Sequence, residues 1–387
     1  MTSTADHPAP GALNPAAPLF EPFQARSLSL PNRIVMAPMT RELSPHGVPG
    51  PDVAAYYARR AAHGVGLIIT EGTVVDHPAS SSSTSVPRFH GADALAGWAH
   101  VVESVHAAGG SIIPQLWHVG LDPLVWGRPP TEVRRAMPDG VTPVSPSGID
   151  PDGTATARSL SRSEIAQLVE SFARAAGAAR RLGFDGIELH GAHGYLIDQF
   201  LWEATNRRED EYGGTPENRV RFAVEIVEAC RDAIGPDLPI FFRFSQWKVG
   251  HYAARLAADP TRLEALLDPL ARAGVDVFHC STRRFWQPEF DGSPLNLAGW
   301  TKKVTGLPTV TVGSIGLADS DFLTYLDGKG AESADVGEAA ARLANGEFDL
   351  VALGRALIAD PGWPERVRAT PARPGIPFNA DMLTSLS

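Results

Sequence analysis

The run SRSEIAQLVESFARAAGAARRLGFDGIELHGAHGY occupies residues 161–195 and reads as one helix–strand unit. Ser161 and Glu164 stand at capping-box spacing, so each satisfies the other's free amide at a helix start. Ile165, Leu168, Val169, Phe172, Ala176 and Ala179 follow at the 3.6-residue period that puts them on one buried face. Arg180 and Arg181 suit the negative end of that helix, and Gly183 suits its C-cap. The stretch Phe184-Asp-Gly-Ile-Glu-Leu189 is then short and bounded, as a buried strand is. His190, His193 and Tyr195 crowd its end.

The same alternation extends in both directions. Expected strands are Arg33–Ala37, Gly66–Thr70, Ser111–Gln115, Asp185–Leu189, Ile240–Phe244, Val275–His279, Thr309–Val312 and Asp349–Leu353. Helical patterns lie near 52–63, 93–108, 161–182, 216–234, 261–273 and 333–345, with Pro269 expected to kink or shorten the fifth. Near-continuous apolar strands separated by helices imply an α/β fold with a parallel sheet covered on both faces. Eight such units are the count of a TIM (β/α)8 barrel. A doubly wound sheet usually shows a glycine-rich phosphate loop after its first strand, whereas here Pro38-Met39-Thr40 follows. The expected organisation is a flexible Ala/Pro-rich arm over 1–18, one barrel domain over 19–370, and a tail over 371–387. Surplus length sits at 121–160, read as a capping insertion after strand three, and at 280–300 and 327–332.

Composition excludes several classes. The 387 residues are 43% hydrophobic and 20% charged, an ordinary globular balance. A net charge of −10 speaks against a broad basic surface for nucleic acid or anionic membrane. The two cysteines, Cys230 and Cys280, cannot form a four-Cys metal or iron–sulfur site. No apolar run approaches the ~18 residues of a membrane span. The N-terminus lacks the charged and apolar blocks of a signal peptide, so a cytoplasmic location is expected.

A TIM barrel builds its site at the C-terminal ends of its strands. Those ends carry Pro38, Met39 and Thr40; Glu71 and Gly72; Gln115, Trp117 and His118; His190, His193 and Tyr195; Arg243; Cys280, Ser281, Thr282, Arg283 and Arg284; Gly313 and Ser314; Gly354 and Arg355. Single members have bland readings: a core histidine, a packing tyrosine, turn glycines, or an Arg243 paired structurally with Glu188 or Glu71. Their coincidence on one rim favours a heteroaromatic phosphate ligand, with strands seven and eight at the phosphate. Metal binding by His190 and His193 with Glu188 or Asp185 would need further ligands that the other strand ends lack, so no metal is expected.

These residues resemble the Old Yellow Enzyme family of FMN-dependent ene-reductases from about Leu19 to Trp363. The resemblance is carried by Pro31–Arg41, Ile69–Gly72, Pro114–Trp117, Glu188–Leu201, Asp210–Gly214 with Glu217–Arg219, and Leu353–Arg355. It implies a barrel with non-covalent FMN at its C-terminal face and NADPH or NADH as reductant. It further implies that Pro38, Met39 and Gly72 line the flavin and that Thr40 tunes it. Gln115 and Arg243 would bind the pyrimidine side, and Gly313, Ser314, Gly354 and Arg355 the phosphate. His190 and His193 would grip the oxygen of an α,β-unsaturated carbonyl, quinone or nitro substrate, Trp117 would wall the pocket, and Tyr195 would give the proton. The family's C-terminal Tyr/Pro motif is missing, with Phe378 the candidate substitute, and Arg283 and Arg284 are candidates for an NADPH 2′-phosphate. Two rival readings are a Schiff-base lyase or aldolase using Lys248 and a non-catalytic flavin-binding barrel. The oligomeric state stays open.

Overall fold

The computed structural model describes residues 14–318, 329–369 and 375–387. Eight parallel strands close into a barrel: β1 Ile34–Met36, β2 Leu67–Val74, β3 Ser111–Trp117, β4 Ile187–His193, β5 Ile240–Lys248, β6 Val277–Ser281, β7 Thr309–Val312 and β8 Leu350–Leu353. Each strand pairs with its neighbours in chain order, and β8 pairs with β1. Strands β2 to β5 run past their apolar cores into the polar rim, because ladder pairing continues there. The rim residues Trp117 and His193 thereby acquire strand positions.

Helices cover the outside: α1 Pro51–Ala62, α2 Ala92–Ala107, α3 Arg162–Leu182, α4 Pro216–Ile234, α5 Pro260–Ala273, α6 Leu297–Thr305 and α7 Gly337–Ala344. Ser161 and Glu164 close the expected capping box on α3, and Gly183 ends it with φ 85°. Pro269 does not shorten α5, which runs on to Ala273. Helix α6 was not expected. Its short LAGWTKKVT stretch mixes Gly and β-branched residues of poor helix propensity. Gly299 within it is required by packing, since a Cβ there would lie 2.7 Å from Glu347 Cγ.

The barrel interior is apolar at its N-terminal end, where Val35, Leu67, Ile69, Ile113, Phe241, Val277, Val310 and Leu350 form one cluster. An antiparallel hairpin, Phe23–Ala25 with Leu28–Leu30, adds Phe23, Leu28 and Leu30 to that cluster and stoppers this end. The hairpin is tied down by Arg26 to Asp276 and by Ser27 to the Asp237 carbonyl.

Residues 1–13 of the expected arm lie outside the described residues. The following residues belong to packed structure: Ala16 is fully buried, and Asn14 Nδ2 donates to the Arg368 carbonyl. The 121–160 segment holds a short helix, Pro130–Arg135, and a two-stranded sheet, Val144–Ser145 with Arg158–Ser159. Trp126 of this segment lies so close to Gly194 that a Cβ there would meet its ring at 2.4 Å. Residues 319–328 and 370–374 also lie outside the described residues, including parts of the expected 327–332 surplus and of the tail. Residues 375–387 dock on the barrel. Phe378 pairs through its backbone with Ala331, and Arg41 Nη2 donates to the carbonyls of Met382, Leu383 and Ser385. Among the described residues no helix is long and apolar enough to cross a membrane.

Candidate active site

Strand period decides which side chains face inward. Above Ile113, Phe241 and Val277, the next inward positions are Gln115, Arg243 and His279. Glu188 enters the same layer from β4. Gln115 Nε2 donates to Glu188 Oε1 at 2.8 Å, and Glu188 Oε2 meets His279 Nδ1 at 2.7 Å. Strands β4 and β6 are not neighbours, so this second bond crosses the barrel interior.

Arg243 sits in this layer, beside His190 on one strand and His279 on the other. It is 8% exposed. Among the described residues no carboxylate lies within ion-pair distance of it, and its buried Nε has no hydrogen-bond partner. The bland alternative, a structural ion pair with Glu188 or Glu71, is therefore absent, although the Glu188 charge acts on Arg243 from a distance. Burial lowers the guanidinium to about 10, with Glu188 opposing. A buried cation with an unsatisfied donor is a site prepared for an electron-rich acceptor.

The layer above carries Trp117, His190, His193 and Tyr195 in edge and face contact. Trp117 and Tyr195 meet edge-on at 4.8 Å, His190 and Tyr195 at 5.1 Å, and His190 and His193 at 5.2 Å with planes 85° apart. The backbone turns sharply to allow this, with φ 66° at His193 and 91° at Gly194. A non-glycine residue in that region is strained and must be held. Ser245 Oγ accepts from His193 N, and the His193 carbonyl accepts from Val249 N. Asp198 Oδ2 accepts from Gly194 N at 2.7 Å, and Gln199 Nε2 donates to the Gly194 carbonyl.

Both imidazoles are held well below their ordinary pKa. Burial is the main cause for each, followed by the Arg243 charge. They are therefore neutral at neutral pH, each with one donor and one acceptor nitrogen. His190 Nδ1 accepts from Ala192 N at 3.3 Å, which leaves the ring proton on Nε2.

Lys248 is not available as a Schiff-base amine. It is fully buried, donates to the carbonyls of Ser245 and Gln246 at 3.0 Å, and pairs with Asp198 at 2.9 Å. All three of its N–H bonds are spent, so the lyase reading fails on geometry. Phe378 does not join the Trp117–His190–Tyr195 ring cluster. It is 1% exposed and lies under Arg355, whose guanidinium carbon is 5.8 Å from its ring centroid.

The remaining predicted residues ring the mouth. Pro38 and Met39 are half-buried and Thr40 is exposed just after β1. Gly72 pairs with Gln115, and a Cβ there would lie 2.6 Å from the Trp117 ring. Gly313 has φ 147° and leaves no room for a side chain against Thr282 Oγ1, at 2.7 Å. Ser314 takes φ 53° and donates its hydroxyl to the Arg283 carbonyl. Arg283 itself stacks on Tyr252 at 4.5 Å. Asp185 lies at the opposite end of β4, bonded to His106 and Ile112 N, and cannot share a ligand with His190. Among the described residues there is no group of three or more His, Cys, Asp or Glu side chains placed to hold a metal ion.

Residues 18–372 match the family described as NADH:flavin oxidoreductase / NADH oxidase. The chain belongs to that family. It is the Old Yellow Enzyme family that the strand-end motifs resemble, and its members are FMN oxidoreductases that use NAD(P)H. The chain is 36% identical over 366 residues to 12-oxophytodienoate reductase 7 of Oryza sativa subsp. japonica, covering 91% of this chain and 88% of that one. It is 35% identical over 367 residues to an NADH oxidase of Thermoanaerobacter brockii, covering 90% of this chain but only 50% of that longer protein. A structure of a morphinone reductase variant in complex with tetrahydroNAD superposes with a TM-score of 0.76 at 34% identity, covering 94% and 93% of the two chains. For this flavoprotein the fit of the cofactor to the chain is physical. Among the described residues Arg243 offers a cation and a buried donor without a partner, Gln115 has no hydrogen bond at its amide oxygen, and the Gly313 turn admits no side chain.

Sequence reading missed the Glu188–His279 link, Trp247 and Asp198. The available signal was the polar residue two positions beyond an inward apolar one, as in Val277-Phe-His279 and Phe241-Phe-Arg243.

Proposed function

We propose that this flavoprotein reduces the activated C=C bond of α,β-unsaturated carbonyl, quinone or nitro compounds. The observation that carries this reading is the pair of neutral imidazoles, His190 and His193, crossed at 85° beside Tyr195 and above the buried Arg243 cation. When bound, FMN supplies a hydride from N5, refilled by NADPH or NADH. Gln115 and Arg243 would hold its pyrimidine side, Pro38, Met39, Thr40 and Gly72 its ring, and Gly313, Ser314, Gly354 and Arg355 its phosphate.

The chain's own work is to bind and polarise the alkene. As hydride reaches the β-carbon, negative charge grows on the carbonyl or nitro oxygen. Two imidazole N–H donors stabilise that oxygen, each worth about 3–4 kcal/mol by the usual cost of removing one oxyanion donor. Trp117 walls the pocket and holds the Tyr195 ring edge-on. The Tyr195 phenol then protonates the α-carbon.

The test is direct. The purified protein is loaded with FMN, reduced anaerobically with NADPH or NADH, and mixed with cyclohexenone, a quinone or a nitroalkene. Reoxidation of the flavin with formation of the saturated ketone supports the reading. Reoxidation by oxygen alone, with every alkene inert, would leave the non-catalytic flavin barrel.

A further inference from the structure

His193 is gripped from three strands. Its turn on β4 is strained, its ring stacks on Trp247 of β5 at 4.5 Å and 28°, and its Nε2 lies 2.7 Å from Ser281 Oγ at the end of β6. Trp247 Nε1 donates to the Ser281 carbonyl at 3.1 Å, so the stacking ring and the serine are locked together. Ser281 is 3% exposed, and His193 is the sole polar contact of its hydroxyl among the described residues.

We propose that Ser281 is a positioning residue that donates its hydroxyl to His193 Nε2 and so fixes the imidazole proton on Nδ1. The direction of the bond follows from satisfaction. If the ring donated to Ser281 Oγ, the buried hydroxyl proton would have no acceptor, and an unmet buried donor is costly. If the hydroxyl donates, both groups are satisfied and Nδ1–H is left as the ring's only donor. Nδ1 has no hydrogen-bond partner among the described residues. The two histidines thus present opposite nitrogens, Nε2–H from His190 and Nδ1–H from His193. A one-position choice of tautomer on each ring makes both of them donors toward one oxygen at the same time. Burial, with the field of Arg243 second, supports this by keeping both rings neutral.

This inference rests on the substrate-oxygen role given to His193 above, but its first readout does not. In FMN-loaded protein carrying ¹⁵N-histidine, the ring signals of His193 are assigned by their loss in His193→Gln. The expected native spectrum shows a protonated Nδ1 and a bare Nε2, and Ser281→Ala collapses this to the tautomer mixture of an unconstrained imidazole. The second readout is the affinity for a para-substituted phenol, followed by the flavin absorbance change. Ser281→Ala is expected to weaken it at least tenfold, or about 1.4 kcal/mol, and Ser281→Thr, which keeps the hydroxyl, to restore it. A native His193 protonated on Nε2 overturns the proposal, as does an alanine variant with unchanged phenol affinity while His193→Gln loses it. If the tautomer is as expected but His193→Gln binds phenol normally, Ser281 still positions His193, and it is the substrate role of His193 that fails.

Discussion

Glu188 Oε2 and His279 Nδ1 meet at 2.7 Å across the barrel interior, both fully buried. The same carboxylate accepts from Gln115, and its charge opposes the effect of burial on Arg243. It therefore couples the fold's polar layer to the cation at the cofactor face.

Replacing Glu188 by Gln keeps the shape and removes the charge. Arg243 then loses the anion that acts on it from a distance, and the bonds of residue 188 to Gln115 and His279 lose their charge, so the variant should be less stable by about 1–3 kcal/mol. Urea unfolding of the FMN-loaded variant should show that loss as a lower midpoint with an unchanged slope. A native midpoint would mean that Arg243 draws its compensation from elsewhere.

Tyr195→Phe keeps the edge-on packing against Trp117 and removes the phenolic proton. General acid catalysis is worth roughly 10²–10⁴-fold. Stopped-flow mixing should show that loss with cyclohexenone in the oxidative half-reaction. Flavin reduction by NADPH, which takes no proton from Tyr195, should change little. An enone rate equal to wild type would assign the proton to another group.

Glu71 gives a pH dependence. Its buried carboxyl accepts from the amides of Arg41 and Glu42, which fasten the segment after Thr40, yet burial raises it from 4.5 to about 7. The folded state thus binds this proton more tightly than the unfolded state. Its contribution to stability is complete below pH 4.5 and falls as pH rises to about 7, by about 3 kcal/mol in all. Glu71→Gln can still accept from both amides and has no proton to lose. Subtracting the variant's stability from the wild type's between pH 5 and 8 should expose the decline, and a flat difference would contradict the burial argument.

Lys248→Met leaves Asp198 without its cation. Asp198 already titrates near 6 despite Lys248, because it is fully buried. The unpaired carboxylate should cost about 3–5 kcal/mol and loosen the Gly194 turn. Loss of stability should be accompanied by weaker enone turnover, since Asp198 anchors the segment that carries His193 and Tyr195. In the native protein, borohydride treatment with a carbonyl compound should leave Lys248 unmodified by mass spectrometry. A Lys248 adduct would reinstate the lyase reading.

The barrel was legible because its strands are buried on both faces, so each is a short, mostly apolar run bounded by turn residues. Gly66–Thr70 and Ile240–Phe244, the latter broken only by Arg243, carry that signal plainly. Helix α6 was not legible, since its Gly and β-branched residues carry little helix propensity. The hairpin at 23–30 escaped because its three-residue strands are too short for a period to register. At the site, residues at strand ends were found one by one. The links between them were not, because Glu188–His279 and His193–Ser281 join residues 91 and 88 positions apart. Only the closure of the barrel brings them together. The rival reading at Lys248 fell for a related reason: the sequence put it just past strand five, whereas it ends β5, and its partner Asp198 comes from the short Leu196–Leu201 helix that follows β4.

The hairpin stopper has a kinetic consequence. With Phe23, Leu28 and Leu30 filling the N-terminal end, that end offers no way in among the described residues. On the function proposed above, nicotinamide donor and alkene acceptor then share the opposite face in turn, and oxidised nicotinamide leaves before the alkene enters. Initial rates measured against both substrates should give the parallel double-reciprocal lines of a ping-pong scheme, with each substrate inhibiting at high concentration by occupying the other's turn.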